Sequence, residues 1–325
     1  MNNKPRFKFA ISMLSLVLVA CSGGSAEAGC PEIDNREINV VATTPMIGEF
    51  VSQVGGDNIN LTVLMSPEAD PHTYDPAPQD AGKIADADLV FYTGLKYEPA
   101  ALIKLLENSA CSAEVLAEVG ENVFPIEFKE GGHDDHDEEG HDDHAGHDHG
   151  AYDPHFWFDP NRVAYAAEYI ESKLVEFDPS NASDYEAAGK AYVTELKGLV
   201  SQVSELISTI PSQNRKLITT HESLGYLEAK FGLEVLSTII PSVDSANEIS
   251  PSQLVGVIDV IEDNNVKAIF IEAEAPSVYA ETIVAETGIK AVEGLWVETL
   301  KEGQSYPEFL FEAVELIVEN LKNTD

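Results

Sequence analysis

The nine histidines of the chain fall in four places. Six stand in one acidic, Gly-containing run: His133, His136, His141, His144, His147 and His149. The other three are solitary, each in a short motif rich in Pro or aromatic residues: His72 in ADPHTYDP, His155 in YDPHFWFDP and His221 in TTHESLGYL. Neutral imidazole is the commonest side-chain ligand of first-row metal ions. A chain that places its whole histidine complement this way reads as one that handles a metal. Three imidazoles with one carboxylate make a tetrahedral set suited to Zn2+. Asp70-Pro71-His72 and Asp153-Pro154-His155 are near-repeats. In both, the proline restrains the backbone and the aspartate is placed to orient the ring. Tyr74, Phe156 and Trp157 are candidates for shielding the ion from water, or for plain core packing.

The elements that must position these residues alternate. Ile38–Ala42, Leu61–Leu64 and Leu89–Tyr92 read as buried strands, and Val123–Ile126 as a fourth. Met46–Val54, Pro78–Ala85 and Pro99–Asn108 read as helices between them. Strand–helix alternation implies an α/β fold with a parallel sheet. Gly131–Gly150 carries the six clustered histidines and eight acids and almost nothing apolar, so it reads as a flexible loop. An amphipathic helix follows over Pro160–Phe177. A longer one runs from about Asp184 to Ile210, with Ser183 as its expected cap and Pro211 as its stop. The second half repeats the alternation. Strands are expected at Lys216–Thr220, Val235–Ile240, Ala268–Glu272 and Ile289–Val292. Helices are expected at Leu224–Phe231, Pro251–Asn264, Ser277–Glu286 and Tyr306–Leu321. The division is therefore a first lobe over 37–182, a linker helix over 183–210 and a second lobe over 211–325. Each lone histidine follows a strand or precedes a helix, where open parallel sheets bind ligands.

Charge and the chain start narrow the class. There are 57 acids against 19 bases, a net charge of −38, which excludes nucleic acid as a partner and favours cations. Residues 1–20 have the basic start and short apolar stretch of an export signal. Leu18-Val19-Ala20-Cys21 resembles a lipobox, implying a lipid on Cys21 and a tether over 21–36. The expectation is an extracytoplasmic body, periplasmic or at the cell surface, held to a membrane by that lipid. Cys30 and Cys111 are then an even pair in an oxidising compartment, open to a disulfide or to two free thiols.

The chain resembles the metal-binding lipoproteins of ABC-type zinc and manganese importers. INVVATTPMIGEFVSQVGGD is similar to the family's opening strand and helix, and ADPHTYDPAPQD, DPHFWFDP and TTHESLGYLEAKFGL to its three ligand motifs. EISPSQLVGVIDVIEDNNVKAIFIEAEAPS is similar to the strand–helix–strand that follows them. The resemblance implies two α/β lobes with central parallel sheets bridged by one long rigid helix. It implies a monomer that binds metal through His72, His155 and His221, catalyses nothing and serves a permease and its ATPase. The family's fourth ligand is usually an Asp. Here Glu298, in Leu295–Leu300, takes that place, with Glu222, Glu272 or water as alternatives. Histidine at position 221, where manganese binders of the family often carry Glu, favours zinc, with Mn2+ or Fe2+ as the other readings. The His-rich run is typical of the zinc branch and is expected to collect zinc weakly and pass it inward. Two other readings compete: a zinc hydrolase using Glu222 as base, which lacks an H-E-x-x-H motif, and a surface zinc-buffering protein or adhesin.

Overall fold

The computed structural model describes Cys30, Ile33 and residues 36–128, 152–242, 248–274 and 278–322. The expected signal segment 1–20, Cys21 and the His-rich run 131–150 lie outside the described residues.

Two four-stranded sheets share one topology. In the first, β1 (Ile38–Ala42), β2 (Ile59–Val63), β3 (Leu89–Tyr92) and β4 (Leu116–Glu118) lie in the order β2-β1-β3-β4. In the second, β5 (Lys216–Thr219), β6 (Glu234–Thr238), β7 (Ala268–Glu272) and β8 (Lys290–Leu295) lie in the order β6-β5-β7-β8. Every pairing is parallel. The chain therefore reverses its direction of travel across the sheet between β1 and β3, and again between β5 and β7. Such switch points leave a crevice beyond the strands' carboxyl ends.

The helices are α1 (Pro45–Gly55), α2 (Pro78–Ala85), α3 (Ala100–Ser109), α4 (Pro160–Phe177) and α5 (Ala182–Ser208), followed by α6 (Gly225–Phe231), α7 (Pro251–Asn264), α8 (Val278–Thr287) and α9 (Tyr306–Leu321). Their starts are chemically marked. The Thr44 hydroxyl accepts the Ile47 N–H at α1, Asp159 accepts that of Asn161 at α4, and Ser250 and Ser305 form capping boxes with Gln253 and Glu308.

The 27 residues of α5 span roughly 40 Å and cross from one lobe to the other. Its buried stripe, Tyr185, Tyr192, Leu196, Leu199, Val203 and Ile207, joins a single apolar core that includes Val40 and Phe91 of the first sheet and Leu217 and Phe270 of the second. The lobes are thus fused by one continuous core rather than held by a flexible hinge.

Some expected boundaries move. The fourth strand is Leu116–Glu118, not Val123–Ile126. Val123 ends a 3-10 turn over Gly120–Val123, and Phe124 sits at φ 54°, a left-handed conformation that breaks any extended run. The true strand is only three residues long, too short for a periodic signal. α5 begins one residue before Ser183, after Asn181, so Ser183 is not its cap. β8 runs on to Leu295, three residues past the expected Val292, and α8 is described from Val278 to Thr287. Among the described residues no helix is long and apolar enough to cross a membrane.

Cys30 and Cys111 form a disulfide that closes 81 residues of sequence separation. Chain entropy alone assigns such a loop roughly 4 kcal/mol. A Cys30→Ser/Cys111→Ser double variant is expected to melt several degrees below the oxidised parent. Equal melting temperatures would show that the bridge does not restrain the unfolded chain.

Candidate metal centre

Of the four converging side chains the second lobe supplies His221 from its crevice and Glu298 from the segment beyond β8. β5 runs out into Thr220-His221, and neighbouring β7 ends at Glu272. The Glu272 carboxylate accepts the His221 backbone N–H at 3.2 Å, lies 2.5 Å from His221 Nδ1 and accepts the Ser223 hydroxyl at 3.1 Å. With Nδ1 held by a carboxylate, Nε2 is the atom left to face inward.

The first lobe answers with His155 and His72. Asp153 Oδ1 accepts the His155 backbone N–H at 2.8 Å and lies 2.8 Å from ring Nδ1, the orientation expected from the Asp-Pro-His motif. Tyr226, from α6 of the second lobe, donates its hydroxyl to the Asp153 carbonyl at 2.8 Å. His72 lies in a 3-10 turn over Pro71–Thr73. There Asp70 accepts the His72 backbone N–H at 2.9 Å, fixing the turn. Of the expected aromatics, Phe156 and Trp157 are fully buried, and Trp157 stands edge-on to the His155 ring. Tyr74 instead donates to Asp80 at 2.8 Å.

Glu298 lies on the segment after β8, at the junction of the lobes. Its Oε1 is 2.7 Å from His221 Nε2, 3.3 Å from His155 Nε2 and 3.5 Å from His72 Nε2. One ligating atom from each of His72, His155, His221 and Glu298 lies within 4.8 Å of all the others. His72 Nε2 and Glu298 Oε1 are both buried without a hydrogen bond of good geometry. Buried polar atoms that converge yet leave one another unsatisfied describe a place for a cation.

The electrostatics agree. Burial disfavours the Glu298 carboxylate, but His155, His72 and His221 outweigh it and hold its pKa well below the usual range. Burial lowers His155, yet Glu298 and then Asp153 raise it to about 9. Burial likewise lowers His221, and Glu272 and then Glu298 raise it well above its ordinary value.

Glu272 and Glu222, the alternative fourth donors, are placed otherwise. Glu272 is spent on His221. Glu222 lies outside the four-residue group, and burial, then Asp153, push its carboxyl up to about 7. Two residues with no signal in the sequence complete the surroundings. Tyr97, fully buried, donates its hydroxyl to Glu298 Oε2 at 2.9 Å, leaving Oε1 for the imidazoles. Glu274 accepts the Glu298 backbone N–H at 3.0 Å, and burial, then Glu298, push its carboxyl up to about 8. Neither stands in a His/Asp motif, and both are far from their target in sequence.

The chain is similar to known proteins over most of its length. Residues 40–320 match the family model described as ZnuA, zinc-uptake complex component A, periplasmic. The manganese-binding lipoprotein MntA of Halalkalibacterium halodurans is 25% identical over 283 residues, covering 87% of this chain and 86% of that protein. The zinc-binding lipoprotein AdcA of Streptococcus pneumoniae is 29% identical over 302 residues, covering 91% of this chain but 56% of AdcA. The periplasmic zinc-binding protein TroA of Treponema pallidum shares the fold, with a TM-score of 0.75 at 22% identity over 88% of this chain and all of that one. The chain belongs to the ZnuA family, a family of solute-binding transport components and not of enzymes.

Proposed function

We propose that the chain captures one Zn2+ between its lobes through His72, His155, His221 and Glu298 and hands it to the permease of an ABC importer driven by its ATPase. The observation that carries the reading is the donor set: three imidazole nitrogens and a carboxylate whose second oxygen is engaged by Tyr97. A carboxylate restricted to one oxygen leaves four donors, the number and kind that suit tetrahedral zinc. Manganese is better served by more oxygen ligands in an octahedral shell. The family description supports zinc uptake, while a manganese reading draws on relatives such as MntA. A lipid on Cys21 is supported by the lipobox-like sequence and by the relatives being named lipoproteins.

Competition between Zn2+ and Mn2+ on the mature chain tests this directly. One tight zinc is expected, with manganese far weaker, and a His72→Ala/His155→Ala/His221→Ala variant that keeps its circular dichroism is expected to lose it. Manganese winning, or tight zinc surviving in that variant, would sink the reading.

Proton linkage is a second check. Because Glu298 and Asp153 raise His155 to about 9, the metal-free site holds protons at pH 7 that zinc must displace. Binding is therefore expected to release protons, and apparent affinity to weaken as pH falls from 9 to 6, about tenfold per unit for each proton displaced. Calorimetry in buffers of different ionisation heat measures this. Affinity flat across that range would mean that the imidazoles are already neutral.

The six clustered histidines are proposed to collect zinc for this site. Deleting residues 131–150 should leave one tight zinc and slow its loading when zinc is scarce. Unchanged loading at limiting zinc argues against the collecting role.

A further inference from the structure

The three backbone amides that precede and follow the Glu298 side chain all point at one atom. The N–H groups of Val297, Glu298 and Thr299 donate to Glu274 Oε1 at 3.0, 3.0 and 3.3 Å. The carbonyls of the same segment are taken from the other side. Trp157 Nε1 donates to Val297 O at 2.8 Å, the Tyr97 hydroxyl to Glu298 O at 3.0 Å, and the Glu68 N–H to Leu300 O at 3.2 Å. Trp157, Tyr97 and Glu68 belong to the first lobe. Glu274 belongs to the second, two residues beyond the end of β7. Residues 297–300 are thus a seam gripped by both lobes, and Glu298 projects from it into the metal centre.

We propose that Glu274 is the positioning residue for the fourth metal donor: by gathering three successive amides it fixes the backbone from which Glu298 reaches the imidazoles, and so sets how long the metal is retained. The proposal rests on the metal-binding reading above. Successive N–H groups of an extended strand point to alternate sides, so three can meet one acceptor only where the chain curls around it. Among the described residues the curl has no ladder partner, and Glu274 supplies the acceptor. Removing it leaves three amides without their acceptor, and the least costly response is for the segment to uncurl toward solvent.

Glu298 is sensitive to such a shift because its Oε1 must stand close to three nitrogens at once while Oε2 keeps Tyr97. The same strand end does parallel work, since Glu272 aims His221 and Glu274 aims Glu298. Residues that orient ligands without touching the metal commonly account for ~10–100-fold in affinity. Gln keeps an accepting oxygen where Glu274 Oε1 gathers the three amides, so it should serve nearly as well.

The test compares Glu274→Ala and Glu274→Gln with the parent. In the metal-free proteins, hydrogen exchange of the peptide covering 297–299 is expected to quicken in Glu274→Ala and stay near parental in Glu274→Gln. Zinc dissociation into a chelator is expected to be ~10–100-fold faster in Glu274→Ala and near parental in Glu274→Gln. With Co2+ as a spectroscopic probe, the visible absorption of Glu274→Ala should shift, reporting an altered fourth donor. Parental exchange and dissociation in Glu274→Ala would overturn the proposal. So would a Glu274→Gln variant as impaired as Glu274→Ala, which would make the role one of charge or general stability. If the parent itself retains no zinc, the metal reading fails, and the exchange arm still decides whether Glu274 fixes the segment.

Discussion

A carboxylate buried among three imidazoles is the constraint on which the rest of this structure depends. Glu298 is fully buried, and a buried charge is costly unless it is paired. Here the pairing comes from both lobes: His72 and His155 from one, His221 from the other, and the Tyr97 hydroxyl across the seam. The contacts to His72, His155 and Tyr97 do not survive if the lobes part. The site therefore requires a frame that holds two sheets in fixed relation to within a fraction of an ångström.

The frame is built by repetition and then by fusion. Each sheet places its switch point between its first and third strands, which makes a crevice at the carboxyl ends. The second crevice is used directly, by His221 and Glu272. The first is used by Tyr97, on the segment after β3, while His72 comes from the turn after β2. Helices α4, α5 and α9 then bury a core continuous from Val40 to Leu310, so the crevices cannot open independently by a hinge. Acidic residues over the rest of the surface bias the surroundings toward cations without taking part in the centre.

Much of this was legible in the chain. The two lobes, the long strut and the solitary histidines follow from local information: strand-to-helix alternation, capping residues and the Asp-Pro-His motifs. Thr44, Asp159, Ser250 and Ser305 mark their helices by chemistry that acts over three residues. The misplaced fourth strand shows the limit. Leu116–Glu118 is a strand because β3 lies beside it, whereas Val123–Ile126 has the composition of one but meets a left-handed Phe124. A three-residue strand has no periodicity to detect, and its existence is a tertiary fact.

The centre divides in the same way. Sequence by itself determined which imidazoles are available, since a chain with only three histidines outside one acidic run has few other ways to assemble nitrogen donors. It also determined the orientation of His155, because Asp153 is two residues away and needs no distant partner. Tertiary structure decided which carboxylate completes the set. Glu222, Glu272 and Glu298 are chemically alike, and only their placement assigns one beside Asp153 and Ser242, one to the back of His221 and one to the open face of all three rings. It also brought in Tyr97 and Glu274, whose roles depend on atoms 201 and 24 residues away. Hydrogen bonds act over about 3 Å, so those that orient a donor are written in sequence only when both partners are close along the chain.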